Sequence, residues 1–515
     1  MNTKKLEKLS CDELDLLIAN AFKNYNLMRM TLVEIGRVFI EHALKFELSQ
    51  IEFSQVRLKF ISESGQQDVT ENENEFYKNI ANRYMGLERE PREVVLALFY
   101  RATDDLHRID SQLNRINIHL KELEEKKKRS GWLNGVERYD RNLYEYYRDK
   151  NHAAKDEILK FISEKLEYYA YSSCLHQGPN LSPIIGLFTG SMPYSYSRGM
   201  LFSYLDPFDV EQMTIMSNKF LDLPLNSYKE IKELYDNDKE QFYEFAKAYI
   251  SDKAEGFECV LDRVKRYFSM SHIINKRRDV LSAIISHYLN RDYVSVVNML
   301  PMQIEGIFHD ICSEIGIDES RLDISSINDK LRILQNNILN FIYFEYYSFK
   351  FPVIRNIVAH GKLVEADLEQ EAILLILDLL PVCEMSVSQD IPVFKKIKLI
   401  NASINNDFKS LIEYVELKDV FVPAFYNLDN DILIVESKLQ SNEFWAYLRN
   451  EVKKGGVENV NDTKIVRFVR SLVGRKICSE RAGEFLRDLP NVIKEIKEQN
   501  ESRRIMLEKF NRNFK

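Results

Sequence analysis

Apolar residues recur at three- and four-residue intervals along most of this chain. The clearest run lies between positions 103 and 128, where Leu106, Ile109, Leu113, Ile116, Leu120 and Leu123 are spaced 3, 4, 3, 4 and 3. That is a heptad seam, the stripe one helix buries against another. The helix is predicted to end in EEKKKRS, where basic side chains oppose the negative end of the helix dipole. SGWLNG then turns the chain, and Val136, Tyr139, Leu143 and Tyr146 resume the 3, 4, 3 spacing. The pattern predicts an antiparallel helical hairpin over about 103–168, with Trp132 at its tip. A structural arm accounts for it. A recognition arm does too, because RYDRNLYEYYRDK mixes Arg138, Arg141 and Arg148 with four tyrosines, as suits single-stranded nucleic acid. Three acids in the same stretch weigh against that second reading.

Elsewhere the period is mostly helical. QVRLKFISES, at 55–64, fits a strand, and SESGQQDVTENENE a polar loop. Positions 171–227 hold much of the glycine and proline and many aromatics, which predicts a loop-rich connector serving as packing or as a lid. Its glycines make no P-loop, since no Gly-Lys-Ser/Thr follows them. DVFVPAFYNLDNDILIVESKL reads as two strands around an Asn-Leu-Asp-Asn-Asp turn. The expected fold class is mainly α: a multi-domain helical protein with a small mixed α/β C-terminal region. The divisions fall at 1–170 (helical, with the hairpin), 171–275 (connector and helices), 276–388 (a compact helical bundle) and 389–515 (a short β-hairpin and basic helices).

Composition narrows the class. Only 17 glycines and 12 prolines in 515 residues agree with helix. A net charge of −8 excludes a generally basic nucleic-acid binder but not a local basic site. The last 55 residues carry 14 Lys or Arg against 8 Asp or Glu, a balance of +6 that leaves −14 on the rest. Such a tail binds RNA or docks on the acidic body. The six cysteines are scattered singly without zinc-ligand spacing, and Cys312 and Cys383 lie in apolar helical runs as expected of buried thiols. The N-terminus lacks a signal-peptide core, and AILLILDLL, the nearest approach to a membrane span, is short and carries Asp378. A cytoplasmic protein without membrane contact is expected.

FPVIRNIVAHGKL, at 351–363, is the segment with chemistry in it. Pro352 suits a first helical turn, Ile354, Ile357 and Val358 supply a packing face, and Gly361 can end the helix. Asn356 and His360 are i and i+4, one above the other, and Arg355 is offset from His360 by roughly 140°. Two amphipathic helices precede the segment, with Pro301 in the second as a kink or first-turn position and Gly316 as its cap. EADLEQEAILLILDLL follows, with Asp367 as N-cap. Two further Arg–His pairs of similar spacing, Arg101–His107 and Arg266–His272, lack this context. His287 and His309 lie on separate helices without metal spacing.

Two long helices, a short RNIVAHG helix and a closing helix resemble the HEPN superfamily, whose signature is Arg, four to six residues, then His, often with a polar residue after the Arg. The resemblance covers about 276–388. It implies a metal-independent ribonuclease without cofactor, leaving a 2′,3′-cyclic phosphate and a 5′-hydroxyl. In that reading His360 is the acid or base, Arg355 steadies the phosphorane, and Asn356 orients the imidazole or binds phosphate. Glu305 supports Arg355, against the alternative of an exposed helix carboxylate. Lys362, standing where some members carry tyrosine, is expected to bind substrate. The resemblance further implies a homodimer pooling two motifs in one site, an RNA substrate such as tRNA, and a role in bacterial antiviral defence or as a toxin, with a trigger or regulatory protein. Two rivals stand beside it. One is a non-catalytic scaffold of the same fold, in which His360 caps its helix and Arg355 makes a structural ion pair. The other is a nucleotide-binding regulator with its pocket in 171–227.

Overall fold

Ser10, Thr31 and Asn72 start three of the first four helices, each accepting a hydrogen bond from the backbone N–H three residues on, at 3.3, 3.2 and 3.1 Å. The computed structural model describes residues 6, 9–45, 47–48, 51–66, 68–175, 209–210, 213–252, 258–339, 341, 343–359, 367–454 and 464–513. They belong to two units, Met1–Thr214 and Ile215–Lys515. The protein is mainly α. Among the described residues the only β pairing is a single bridge between Leu87 and Leu175.

In the first unit, α1 (Cys11–Ala21), α2 (Leu32–Leu44), α3 (Phe53–Ser64) and α4 (Glu73–Met85) enclose a core around Ile35, Phe39, Phe60 and Phe76. Gly36 lets α2 touch the backbone of α4: a Cβ there would lie 2.7 Å from the Tyr77 carbonyl carbon. The stretch expected as a strand is α3. Val56, Leu58 and Phe60 alternate as a strand would, but Leu58 is 65% exposed while Val56 and Phe60, one helical turn apart, are buried.

The hairpin is formed by α5 (Pro91–Ser130) and α6 (Gly135–Lys160). His119 meets Asp140 at 2.7 Å and Lys155 meets Asp110 at 2.6 Å, so the two helices run antiparallel. Gly131, at φ +77°, makes the left-handed turn that ends α5. The α5 seam is as expected, with Ile109, Leu113, Ile116 and Leu123 buried. The α6 seam differs. It buries Leu143, Tyr147, Asn151, Ala154 and Ile158, leaving Val136 exposed and Tyr146 half-buried. A straight helix drifts against a 3.5-residue repeat, which moves the contact stripe by a residue. After a π-helical turn at Phe161–Lys165, α7 (Leu166–Cys174) packs back on α5.

The second unit begins with α8 (Leu225–Asn237), α9 (Lys239–Ser251), α10 (Val260–Met270) and α11 (His272–Asn275). Then come α12 (Arg278–Leu289), α13 (Tyr293–Glu314), α14 (Glu319–Asp323), α15 (Ile327–Asn337), α16 (Phe351–Ala359) and α17 (Leu368–Met385). Every residue of α17 from Ala372 to Cys383 is buried, because α9, α10 and α13 pack around it. Pro301 lies well inside α13, not in its first turn, and Gly316, at φ +99°, follows the helix end. Cys312 and Cys383 are buried free thiols.

A second core, around Leu411, Tyr414, Phe444, Leu448 and Val469, is built by α18 (Pro392–Ile404), α19 (Phe408–Glu416), α20 (Asp429–Lys438), α21 (Asn442–Lys454), α22 (Lys464–Gly474) and α23 (Ser479–Asn513). The expected β-hairpin is absent from this region: Ala424–Tyr426 is a 3-10 turn and α20 follows directly. Val435 and Leu439, four apart, are buried, whereas Leu433 is 64% exposed. Asp429 and Asp431 sit in the first turn of α20, where negative charge favours a helix. The region is therefore helical rather than α/β in its described part. Among the described residues no helix is long and apolar enough to cross a membrane.

Candidate functional site

The chain does not start a fresh helix at Pro352. It enters α16 through a π-helical turn at Tyr346–Lys350, where the Phe351 N–H donates to the Tyr346 carbonyl five residues back. The wide turn relieves the clash that a proline ring makes with the carbonyl four residues before it. Pro352 is thus interior rather than N-terminal. Phe351, Pro352 and Val358 are buried, while Ile354 and Ile357 are half-buried.

Arg355 and Asn356 lie side by side on the half-buried flank of α16. The Arg355 guanidinium donates from Nε to one oxygen of Glu305 on α13 at 3.1 Å, and its Nη2 lies 3.1 Å from the same oxygen in an ion pair. Its Nη1 donates to Oδ1 of Asn356 at 3.0 Å. The other Glu305 oxygen stands 3.9 Å from Nζ of Lys330, a buried lysine on α15. Glu305 is therefore a positioned carboxylate between two cations, leaving the cluster with one net positive charge. Arg355 keeps 31% of its side chain open to solvent. His360, Gly361 and Lys362 lie outside the described residues, as does most of the 171–227 segment. The structure thus brings together three of the five predicted site residues: Arg355, Asn356 and Glu305.

The other Arg–His pairs have structural surroundings. Arg101 and His107 are both exposed. Arg266 meets Glu258 at 2.5 Å, while His272 is buried between Tyr426, at 2.9 Å from Nδ1, and Glu314, at 2.6 Å from Nε2. His287 pairs with Asp292 at 2.9 Å, and His309 with Asp323 at 3.4 Å.

A polar cluster that sequence reading missed lies directly behind the motif helix. Lys219 and Asp378 form an ion pair with both side chains fully buried. Lys219 also donates to the Ile215 carbonyl at 2.9 Å, to Asn218 Oδ1 at 2.9 Å and to Tyr346 OH at 3.0 Å. Asp378 accepts from Asn218 at 2.9 Å and from Tyr346 at 2.9 Å, and its carbonyl accepts from Tyr347 at 2.6 Å. Burial pushes the Asp378 carboxyl up against the pull of Lys219, and pushes the Lys219 ammonium down against the pull of Asp378. Nearby, Arg263 bridges Asp222 at 2.6 Å and Glu384 at 2.8 Å. Tyr346 and Tyr347 belong to the π-helical turn that leads into α16, so this network anchors the root of the helix that carries Arg355. The signal was present in AILLILDLL: a lone carboxylate in an apolar helix needs a buried cation.

No family model, curated protein or solved structure matches this chain.

Proposed function

We propose that this protein is a metal-independent endoribonuclease acting at RNIVAHG. The observation that carries the reading is the Glu305-held Arg355, one third open, on the helix whose last residue, Ala359, precedes His360 in the sequence. A fixed guanidinium suits the phosphorane, whose non-bridging oxygens gain charge as the 2′-oxygen attacks. His360 takes the 2′-OH proton as the P–O2′ bond forms, and the departing 5′-oxygen takes a proton from the protonated His360 of a second copy as the P–O5′ bond breaks. The products are a 2′,3′-cyclic phosphate and a 5′-hydroxyl. Resemblance to HEPN domains, which pool two facing motifs in one cleft, implies that the active form is a homodimer with a composite site. Lys362 adds a cation for the substrate phosphate. Cleavage of tRNA or other RNA would arrest growth, which fits a toxin or an antiviral defence protein released by a trigger.

A scaffold reading also has an observation in its favour: Nε, Nη1 and Nη2 of Arg355 already have protein partners. One experiment separates the two. Wild type and His360→Ala are incubated with total RNA in EDTA, and new ends are mapped. The nuclease reading expects wild-type ends with cyclic phosphate and none from His360→Ala. Equal cutting by both chains, or no cutting by either together with harmless overexpression of both, replaces it with the scaffold.

A further inference from the structure

A groove of about 600 Å³ opens along the outer half of the α5–α6 hairpin. Lys121, Lys127, Lys128, Arg141 and Arg148 line it against two carboxylates, Glu124 and Glu145. Both carboxylates are already engaged: Lys128 meets Glu124 at 3.0 Å, and Arg141 meets Glu145 at 2.9 Å. Lys121 and Lys127 make no ion pair among the described residues. The lining thus holds a surplus of three positive charges in a chain whose net charge is −8. The hydrogen bond and charge of Lys128, then Arg141 and Lys127, hold the Glu124 carboxyl below its ordinary value.

The cations are arranged in rows. Lys121 and Lys128 are seven residues apart on α5, and Arg141 and Arg148 seven apart on α6. Seven residues are two helical turns, so each pair shares a stripe with about 10 Å between members. One row lies on each bank. Gly131 and Leu133 line the groove, with Leu133 buried, and Trp132 between them in the turn is 65% exposed and outside the lining. An indole held open by a tight turn does no core packing and offers a face for stacking.

The geometry points to single-stranded RNA as the occupant of this groove, its phosphates between the two cation rows and a base on Trp132. A positively charged groove that tracks a backbone, with an aromatic side chain on which a base stacks, is the combination that single-stranded nucleic acid takes. The choice of ribose over deoxyribose rests on the nuclease reading above. The groove itself lies in the first unit, away from the motif in sequence, so binding and cleavage fail separately.

The test uses full-length His360→Ala, a labelled mixed-sequence RNA strand, the same strand as DNA, and the RNA duplex. Anisotropy is read across a salt series. The RNA strand is expected to bind with a log–log salt slope of about −2 to −3.5, from about −0.7 per neutralised phosphate. Lys121→Glu/Lys127→Glu should weaken binding about tenfold or more and flatten the slope by about 1.4. Trp132→Ala should weaken it about fivefold or more. Lys229→Glu/Lys398→Glu, the same charge change outside the hairpin, should leave affinity unchanged. Absence of RNA binding, tighter binding of DNA or duplex, or equal loss in both double variants would overturn the inference. Binding through the hairpin by a chain whose wild type never cleaves would uphold it and remove the nuclease reading instead.

Discussion

Replacing Lys219 by methionine should destabilise the second unit severely. The Lys219 and Asp378 side chains are both fully buried, and removing the ammonium leaves a carboxylate with only Asn218 and Tyr346 as donors. Breaking a buried pair from one side costs about 3–5 kcal/mol, roughly 150-fold or more in the opening equilibrium. The loss should depend on pH with a definite sign. Burial raises the folded-state Asp378 carboxyl above its ordinary 3.8, and without Lys219 it rises further. A folded state that holds its proton more tightly than the unfolded state loses stability as pH climbs from the unfolded value through the folded one. Lys219→Met should therefore lie near wild type at pH 4 and furthest below it at pH 8. Urea titration with amide hydrogen exchange read over Leu368–Met385 isolates this unit. In Lys219→Met/Asp378→Leu the orphan charge is gone, so the double variant should be less destabilised than the sum of the singles by about 2 kcal/mol. A single variant within about 1 kcal/mol of wild type at pH 8, or strict additivity, would refute the reasoning.

Other expected outcomes are equally direct. Gly36→Ala places a Cβ against the Tyr77 backbone, which cannot give way as a side chain would; a loss of about 1–3 kcal/mol in the first unit is expected by thermal unfolding, and an unchanged midpoint would show that α2 and α4 separate freely. If Arg355 faces the phosphorane, Arg355→Ala should lower RNA cleavage about 100-fold, and Arg355→Lys should not restore it because an ammonium lacks the planar fork that grips Glu305 while presenting further N–H groups to the phosphate. Glu305→Gln should act through Arg355 and reduce cleavage less than Arg355→Ala does; the reverse ranking in a single-turnover assay would place Glu305 in the chemistry itself. Burial works to raise the Glu314 carboxyl, but the hydrogen bond and charge of His272, with Lys276, outweigh it and hold the carboxyl below its ordinary 4.5. That stability is present above pH 4.5 and is lost as pH falls below it, so His272→Gln should lessen the acid sensitivity of the second unit in a pH series of urea titrations.

Local pattern was enough for much of the architecture. The heptad from Leu106 to Leu123 named the α5 seam, Asp367 was legible as the cap of α17, and the apolar surroundings of Cys312 and Cys383 marked them as buried. These features depend on residues within a turn or two of one another, where period and capping chemistry leave few choices. The misreadings arose where two periods coincide. Val56-Leu58-Phe60 and Ile432-Leu433-Ile434 satisfy a strand as well as a helix until a partner surface chooses which side is covered. Arg355 and Asn356 were visible as neighbours, but the grip of Glu305 joins positions 50 residues apart and was only one option among exposed carboxylates. The Lys219–Asp378 pair spans 159 residues. Asp378 announced that some cation must reach it, yet which one depended on how the segment after residue 214 crosses α17. A buried charge specifies the kind of partner it needs; the chain's path through the core decides which residue arrives.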